Sequence, residues 1–179
     1  MDADERLTPA LADEIQQLLA DNTPYETYCI PRRTYLGDRW IRYGGWYPSA
    51  QMKLYKRSVL RWEETTVHPR ALSDRAWGSL QHDLIHLSYR DTEDFLAKLD
   101  RQTSLEAQKW AAARRNMGLG KALWRTADRV VRSYVFKQGF RDGQLGWFMA
   151  RMGGRYQWLS YTKYLKLKRQ GCAREEPRA

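Results

Sequence analysis

Two aspartates, Asp2 and Asp4, stand two positions apart at the start of the chain, with Glu5 beside them. Carboxylates at that spacing can both reach one hard divalent cation or the waters around it. The plainer alternative is an acidic, frayed N-terminus. A second chemically dense stretch runs from Arg39 to Arg57, where aromatic rings, the Gly44-Gly45 pair and regularly spaced bases crowd into nineteen residues. Trp46, Tyr47 and Pro48 form a short loop there, feeding a strand that carries Gln51 and Lys53. This has the pattern of a binding-site rim, set against a surface hairpin with a few core aromatics. Arg32, Arg33, Arg39 and Arg42 gather near Tyr35, Trp40, Tyr43 and Trp46. Guanidinium forks suit phosphates, and their planes stack on rings. His68, between Val67 and Pro69, is a lone histidine, a type that is usually structural or solvent-facing. His82 and His86 would share a face on a helix. With no cysteine nearby and no third ligand at metal spacing, they make a poor zinc site.

The elements that must position these groups can be read from periodicity and punctuation. Thr8 is a good N-cap and Pro9 suits the first helical position. Leu11, Ile15, Leu18 and Leu19 then predict an apolar helix face from 9 to about 20. Asn22-Thr23-Pro24 breaks that helix, 25–30 reads as a strand, and Pro31 ends it or marks an edge. Gly44-Gly45 signals a turn, since glycine takes positive φ without steric cost. Residues 51–57 read as a half-buried strand, with Met52 and Leu54 on one face and Lys53 and Tyr55 on the other. A polar hairpin through 61–66 and a loop or short helix over 70–78 follow. For Leu84 to Ser88 a strand is preferred.

The character changes at Asp91. Helical patterns cover 92–116, 121–137 and about 145–169. Asp91 or Thr92 caps the first, and Leu123, Ala127, Val130, Val131, Tyr134 and Val135 are expected to face inward from the second. The expected organisation is therefore 1–90 as an α/β part, 91–169 as a helical, basic part, and 170–179 as a disordered tail.

The chain has 179 residues and a formal net charge of +10. That size supports a real core, and that charge implies polyanionic company: nucleic acid, anionic lipid or a phosphorylated substrate. Eight tryptophans and eleven tyrosines suit cores, sugar platforms and membrane interfaces alike. Two cysteines, Cys29 and Cys172, fit neither a disulfide scaffold nor a metal cluster. No apolar run approaches the roughly 20 residues of a spanning helix. From 151 onward there are eight Lys or Arg and two Glu, an aromatic-rich basic end that suits a peripheral membrane contact. The basic residues match no nucleic-acid-reading motif, so no nucleic acid is expected as partner. P-loop, dinucleotide and nucleophile-elbow motifs are missing.

Several segments, taken in order, resemble the family 2 glycosyltransferases of the lipopolysaccharide core glucosyltransferase type. They are 2–9 (Asp-Ala-Asp-Glu-Arg-Leu-Thr-Pro), 42–48 (Arg-Tyr-Gly-Gly-Trp-Tyr-Pro) with 51–57, Val67-His68, 86–89 (His-Leu-Ser-Tyr) and 139–146 (Gly-Phe-Arg-Asp-Gly-Gln-Leu-Gly). The match is to the second half of such enzymes and covers nearly the whole chain.

The resemblance implies an α/β fold: an incomplete nucleotide-sugar-binding (GT-A-like) domain that lacks its N-terminal strands, followed by C-terminal amphipathic helices. It also implies a sugar transfer from a nucleotide-sugar donor to a lipid-linked or lipopolysaccharide-core acceptor. Asp2 and Asp4 would hold a divalent cation, Mn2+ or Mg2+, against the donor diphosphate, with Asp4 the more direct ligand. His68 would lie near that cation or the diphosphate. Trp46, Tyr47, Pro48, Gln51 and Lys53 would line the sugar and acceptor side. The expected location is cytoplasmic, peripheral on the inner face of the cell membrane, against an anionic membrane surface.

There are departures. Pro69 stands where the family usually has Glu after the histidine, Ser49 where it usually has Asp, and Lys53 where it usually has Arg. No catalytic base is assigned, although Glu63, Glu64 and Asp74 lie near. The family's first nucleotide-binding strands precede the acidic motif, so a missing N-terminal half is an expected partner. A non-catalytic, membrane-peripheral remnant or adaptor is the alternative, and a nucleic-acid-binding protein, favoured by net charge alone, ranks below it.

Overall fold

Thr8 opens the first helix as its side chain suggests: its Oγ1 accepts the Leu11 N–H at 3.2 Å, and Pro9 occupies the first turn. The computed structural model describes residues 2–21, 23–58, 61–62, 71–72 and 76–175. The chain divides into two compact units, Met1–Arg90 and Asp91–Ala179, at the change of character at Asp91. Among the described residues the fold is mixed α/β, with two small mixed sheets, a two-stranded ribbon and four α-helices.

In the first unit, β1 (Glu5–Leu7) leads into α1 (Pro9–Ala20). The strands β2 (Thr27–Ile30), β3 (Arg32–Leu36), β4 (Arg39–Ile41) and β5 (Gln51–Tyr55) follow. After them come the ribbon of β6 (Arg61–Trp62) and β7 (Ala71–Leu72), then β8 (Gly78–Ser79) and β9 (Leu84–Tyr89). The larger sheet has the order β1-β9-β3-β4 and the smaller β5-β2-β8. β9 pairs antiparallel with β1 and parallel with β3, and β2 pairs antiparallel with β5 and parallel with β8. Pro31 lies between β2 and β3, where a residue without an N–H costs no ladder bond. At the turn before β5, Gly44 and Gly45 take φ of 72° and 84°, a region other residues enter at a cost. His82 and His86 do not share a helix face, because β9 begins at Leu84.

The apolar stripe of α1 seals a core of Leu11, Tyr28, Ile30, Leu80 and Leu84, with Ile15, Leu18 and Leu54 at its margin. Leu19, expected on that stripe, is 71% exposed; it lies beyond the stripe's edge. Glu14 fastens the helix to the loop before β9. Its carboxylate accepts the Gln81 N–H at 2.8 Å, the His82 N–H at 2.9 Å, and a contact from His82 Nδ1 at 2.9 Å. Burial alone would raise its pKa, but these bonds win and hold it below the usual value of 4.5. A carboxyl whose folded pKa is depressed contributes stability above its unfolded pKa and loses it as pH falls through the folded value. Glu14→Gln should therefore cost about 1.5 kcal/mol at neutral pH. In urea unfolding, the gap from the unaltered chain should close as pH drops below 4.5.

In the second unit, α2 (Thr92–Ala112) is capped by Asp91, whose carboxylate accepts the Asp94 N–H at 2.7 Å. Its buried stripe is Phe95, Leu99, Thr103, Ala107 and Trp110. After α3 (Leu119–Val131) come a π turn, Arg132–Phe136, a 3-10 turn, Gly139–Asp142, and α4 (Gly143–Glu175). Two expectations change here. The helix expected to run unbroken to Lys137 widens at Arg132. The long last helix continues through Glu175, into the stretch expected to be a disordered tail.

α4 is the central helix of this unit, packed against both α2 and α3. Trp110, Met117, Ala122, Tyr161 and Tyr164 form the core. Lys163 pins α4 to α2, donating to Asp100 Oδ1 at 2.6 Å and to Thr103 Oγ1 and Ser104 Oγ at 2.9 Å. Glycines let the chain come close where α4 begins. A Cβ on Gly146 would stand 1.7 Å from the Gly139 carbonyl oxygen. That neighbour is backbone and has no rotamer to change, so Gly146→Ala should destabilise this unit by about 2–3 kcal/mol, read as a lower unfolding midpoint.

Candidate functional site

The acidic opening of the chain does not fray. Glu5 in β1 sits across from His86 in β9, and His86 in turn sits across from Thr34 in β3. Cross-strand partners project to the same side of a sheet, so Glu5 and His86 share one face. Ser88, two residues on, joins them. Lys53 arrives from the other sheet by way of a β-bulge. Tyr28 pairs with Leu54 and Cys29 with Met52, leaving Lys53 as the extra residue. A bulge re-aims the side chain it carries, and this one sends Lys53 to the acids.

The Lys53 ammonium donates to Asp2 Oδ2 at 2.8 Å and to Glu5 Oε2 at 3.0 Å. It also lies 2.8 Å from Glu5 Oε1, an oxygen outside hydrogen-bonding geometry. The Glu5 side chain is fully buried, so Lys53 compensates a charge that has no access to water. Burial opposes the ammonium's charge, but Asp2 and Glu5 outweigh it and raise its pKa. The hydrogen bond from Lys53 lowers that of Asp2.

Asp4 turns elsewhere. Its Oδ2 lies 3.2 Å from His86 Nε2, and its side chain stays 45% exposed. His86 Nδ1 lies 2.6 Å from Ser88 Oγ. Burial, and then the Arg32 charge, lower the imidazole pKa against the pull of Asp4 and Glu5. Neutral His86 satisfies both neighbours as the tautomer in which Nε2–H faces Asp4 and Nδ1 accepts from Ser88.

Arg32 flanks this cluster and is only loosely held. Its fork reaches Gln51 Oε1 and Ser49 Oγ, each at 3.4 Å, long for hydrogen bonds. Its buried Nε has no hydrogen-bond partner among the described residues. A guanidinium with donors to spare, beside a neutral imidazole and exposed carboxylates, is equipped to take an anion.

The aromatic loop is organised by a different centre. Tyr47 Oη donates to Asp83 Oδ1 at 2.8 Å, and Arg33 Nε donates to Oδ2 at 2.7 Å. Burial and the neighbouring Asp83 raise the Tyr47 pKa. The Tyr47 ring meets Trp40 edge-on at 5.3 Å, and Arg33 and Arg42 lie over the Trp40 face at 4.7 and 4.5 Å. Trp46 meets Tyr89 edge-on at 6.4 Å, and Pro48 is exposed. The structure thus gathers Asp2, Lys53 and Asp4 around Glu5 and His86 and sets Gln51 against Arg32, while the Tyr47 hydroxyl is taken up by Asp83. His68, together with Glu63, Glu64, Pro69 and Asp74, lies outside the described residues.

No protein-family model matches the chain, and no solved structure matches it.

Among the described residues, no three His, Cys, Asp or Glu side chains are arranged to hold a metal ion. Asp2 is drawn to Lys53 and Asp4 to His86. Magnesium-type sites often use one or two carboxylates and take their remaining ligands from substrate phosphates and water. The half-exposed Asp4 carboxylate fits that arrangement; the Lys53-bound Asp2 does not add a second ligand without giving up its partner. The sequence offers Arg32 as one of several arginines suited to phosphate and His86 only as a poor zinc ligand, and it gives Glu5 and Ser49 no role in a site. Their proximity is set by cross-strand register, which leaves no local signature.

Proposed function

We propose that the first unit binds the diphosphate of a nucleotide-sugar donor, as part of a glycosyltransferase whose acceptor is lipid-linked or a lipopolysaccharide core. The finer fold reading goes with it: the two mixed sheets are taken as the later part of a GT-A-like domain. The observation that carries the reading is the under-used Arg32 guanidinium, whose buried Nε has no partner among the described residues and whose charge acts on His86.

Each group has a distinct task. Arg32 holds a phosphate by its fork. Lys53 keeps the buried Glu5 neutralised. His86 orients the Asp4 carboxylate. Asp4 would be the protein ligand of a divalent cation, which would supply charge neutralisation for the departing diphosphate. Gln51 and the Trp46-Tyr47-Pro48 loop are assigned to the sugar and acceptor side.

A second reading, a non-catalytic relative, is favoured by one observation. Lys53 already occupies the position from which a cation would balance Asp2 and Glu5. Pro69, which cannot carry a proton, agrees with it. Electron paramagnetic resonance of manganese separates the two. On the donor-binding reading, UDP and protein together quench the free Mn2+ signal, and Asp4→Asn restores it more fully than Asp2→Asn. A free-manganese signal that the protein leaves unchanged would favour the non-catalytic relative.

A further inference from the structure

The second unit leaves an apolar helix face uncovered. Leu123, Ala127, Val131 and Val135 recur every four residues along α3 and the π turn, and all four are exposed. Trp124 and Phe136 extend the strip, at 65% and 77% exposed. The opposite side of the same helix is the packed one. Ala122 and Ser133 are buried there, and Val130 lies against Gly154 of α4, where a Cβ would come within 2.5 Å of its Cγ2. Lys121, Arg132 and Lys137 are exposed and supply cationic charge beside the strip, whereas Arg125 and Arg129 lean on α4, against Gln157 and Gly153. Asp128 is the one acid between 117 and 141, and Arg132 holds it at 3.1 Å.

We propose that this face of α3 and the π turn docks in the plane of an anionic lipid bilayer, its apolar strip at the acyl boundary and its basic flank among the head groups. Charge complementarity selects the occupant. A second copy would bring an identical cationic flank on a chain of net charge +10. A nucleic acid offers phosphates but no apolar surface to cover six such side chains. An anionic bilayer offers both. No described helix is long and apolar enough to cross a membrane, so the contact lies in the interface. The surface also differs from the basic C-terminal end that the sequence points to, because α4 buries much of itself against α2 and α3. The proposal uses residues of the second unit only and stands whether or not the first binds a nucleotide.

The test is co-sedimentation of the full chain with phosphatidylcholine vesicles, with and without phosphatidylglycerol. The unaltered chain should bind the phosphatidylglycerol vesicles selectively. Leu123→Gln with Val131→Gln should lower partitioning by more than about tenfold. Both positions are exposed, and circular dichroism should show the fold retained. Lys121→Gln with Lys137→Gln, which leaves the strip intact, should lower it about fivefold or more, and by less on neutral vesicles. Equal partitioning of the apolar double variant, or no binding of the unaltered chain to anionic vesicles, would overturn the proposal. So would an oligomer of the unaltered chain that this variant converts to monomer, which would assign the face to a second copy.

Discussion

Asp83→Ala should lower the stability of the first unit by about 3 kcal/mol, the low end of the range for breaking a buried ion pair. Asp83 is only 5% exposed. Its carboxylate holds the Arg33 guanidinium with one oxygen and the Tyr47 hydroxyl with the other. Its backbone carbonyl accepts from Thr8, the cap of α1, at 3.0 Å. Removing the carboxylate strands a half-buried tyrosine hydroxyl and a cation that is about a third exposed. The partial exposure of Arg33 keeps the loss from being larger. Urea unfolding measures it, and a loss below about 1 kcal/mol, the worth of an exposed pair, would show that Asp83 is not the post on which the aromatic loop stands.

Lys53→Met should cost a similar amount, about 3–4 kcal/mol, because it leaves the fully buried Glu5 carboxylate without a counter-charge. The cost belongs to the stranded charge and not to the lysine as such. Adding Glu5→Gln to Lys53→Met should therefore recover most of the loss, a coupling that a double-mutant cycle measures directly. Additive losses would mean that the bulge at Lys53 serves β2–β5 pairing alone. The pair's pH dependence has a definite sign. The Lys53 pKa is raised on folding, so its contribution is complete below the unfolded value of 10.5 and fades as pH rises through the folded one.

What could be read in the sequence was what neighbours in the chain decide. Thr8 with Pro9, Asp91 before Glu93 and Asp94, and the Gly44-Gly45 turn carry their structural meaning within a few residues. The structure contains all three. Periodicity also located the strand at Leu84 and the long helices after Asp91. What could not be read was anything that depends on pairing at a distance. Asp83 and Tyr47 are 36 residues apart and Lys53 and Asp2 are 51 apart; nothing near Lys53 marks it as a bulged residue. The bond of the Tyr47 hydroxyl to Asp83 leaves no mark near either residue in the sequence.

The inward reading of α3 holds for Val130 and Tyr134 but not for Leu123, Ala127, Val131 and Val135, for a different reason. An apolar period at Leu123, Ala127, Val131 and Val135 shows that a helix has two unlike faces, not which face its neighbours cover. Here the narrow face of Ala122, Ser133 and Val130 packs, because Gly154 on α4 admits it. The broad apolar face is left to the surroundings.

The most direct test of the donor-site reading is calorimetric titration of the full 179-residue chain with UDP, with and without manganese. It is run beside a variant carrying Asp2→Ala and Asp4→Ala, both checked for cooperative unfolding. The expected result is binding that requires the metal in the unaltered chain and is lost in the variant. A folded chain that gives no heat with UDP and manganese, or that binds equally well without the aspartates, would contradict it.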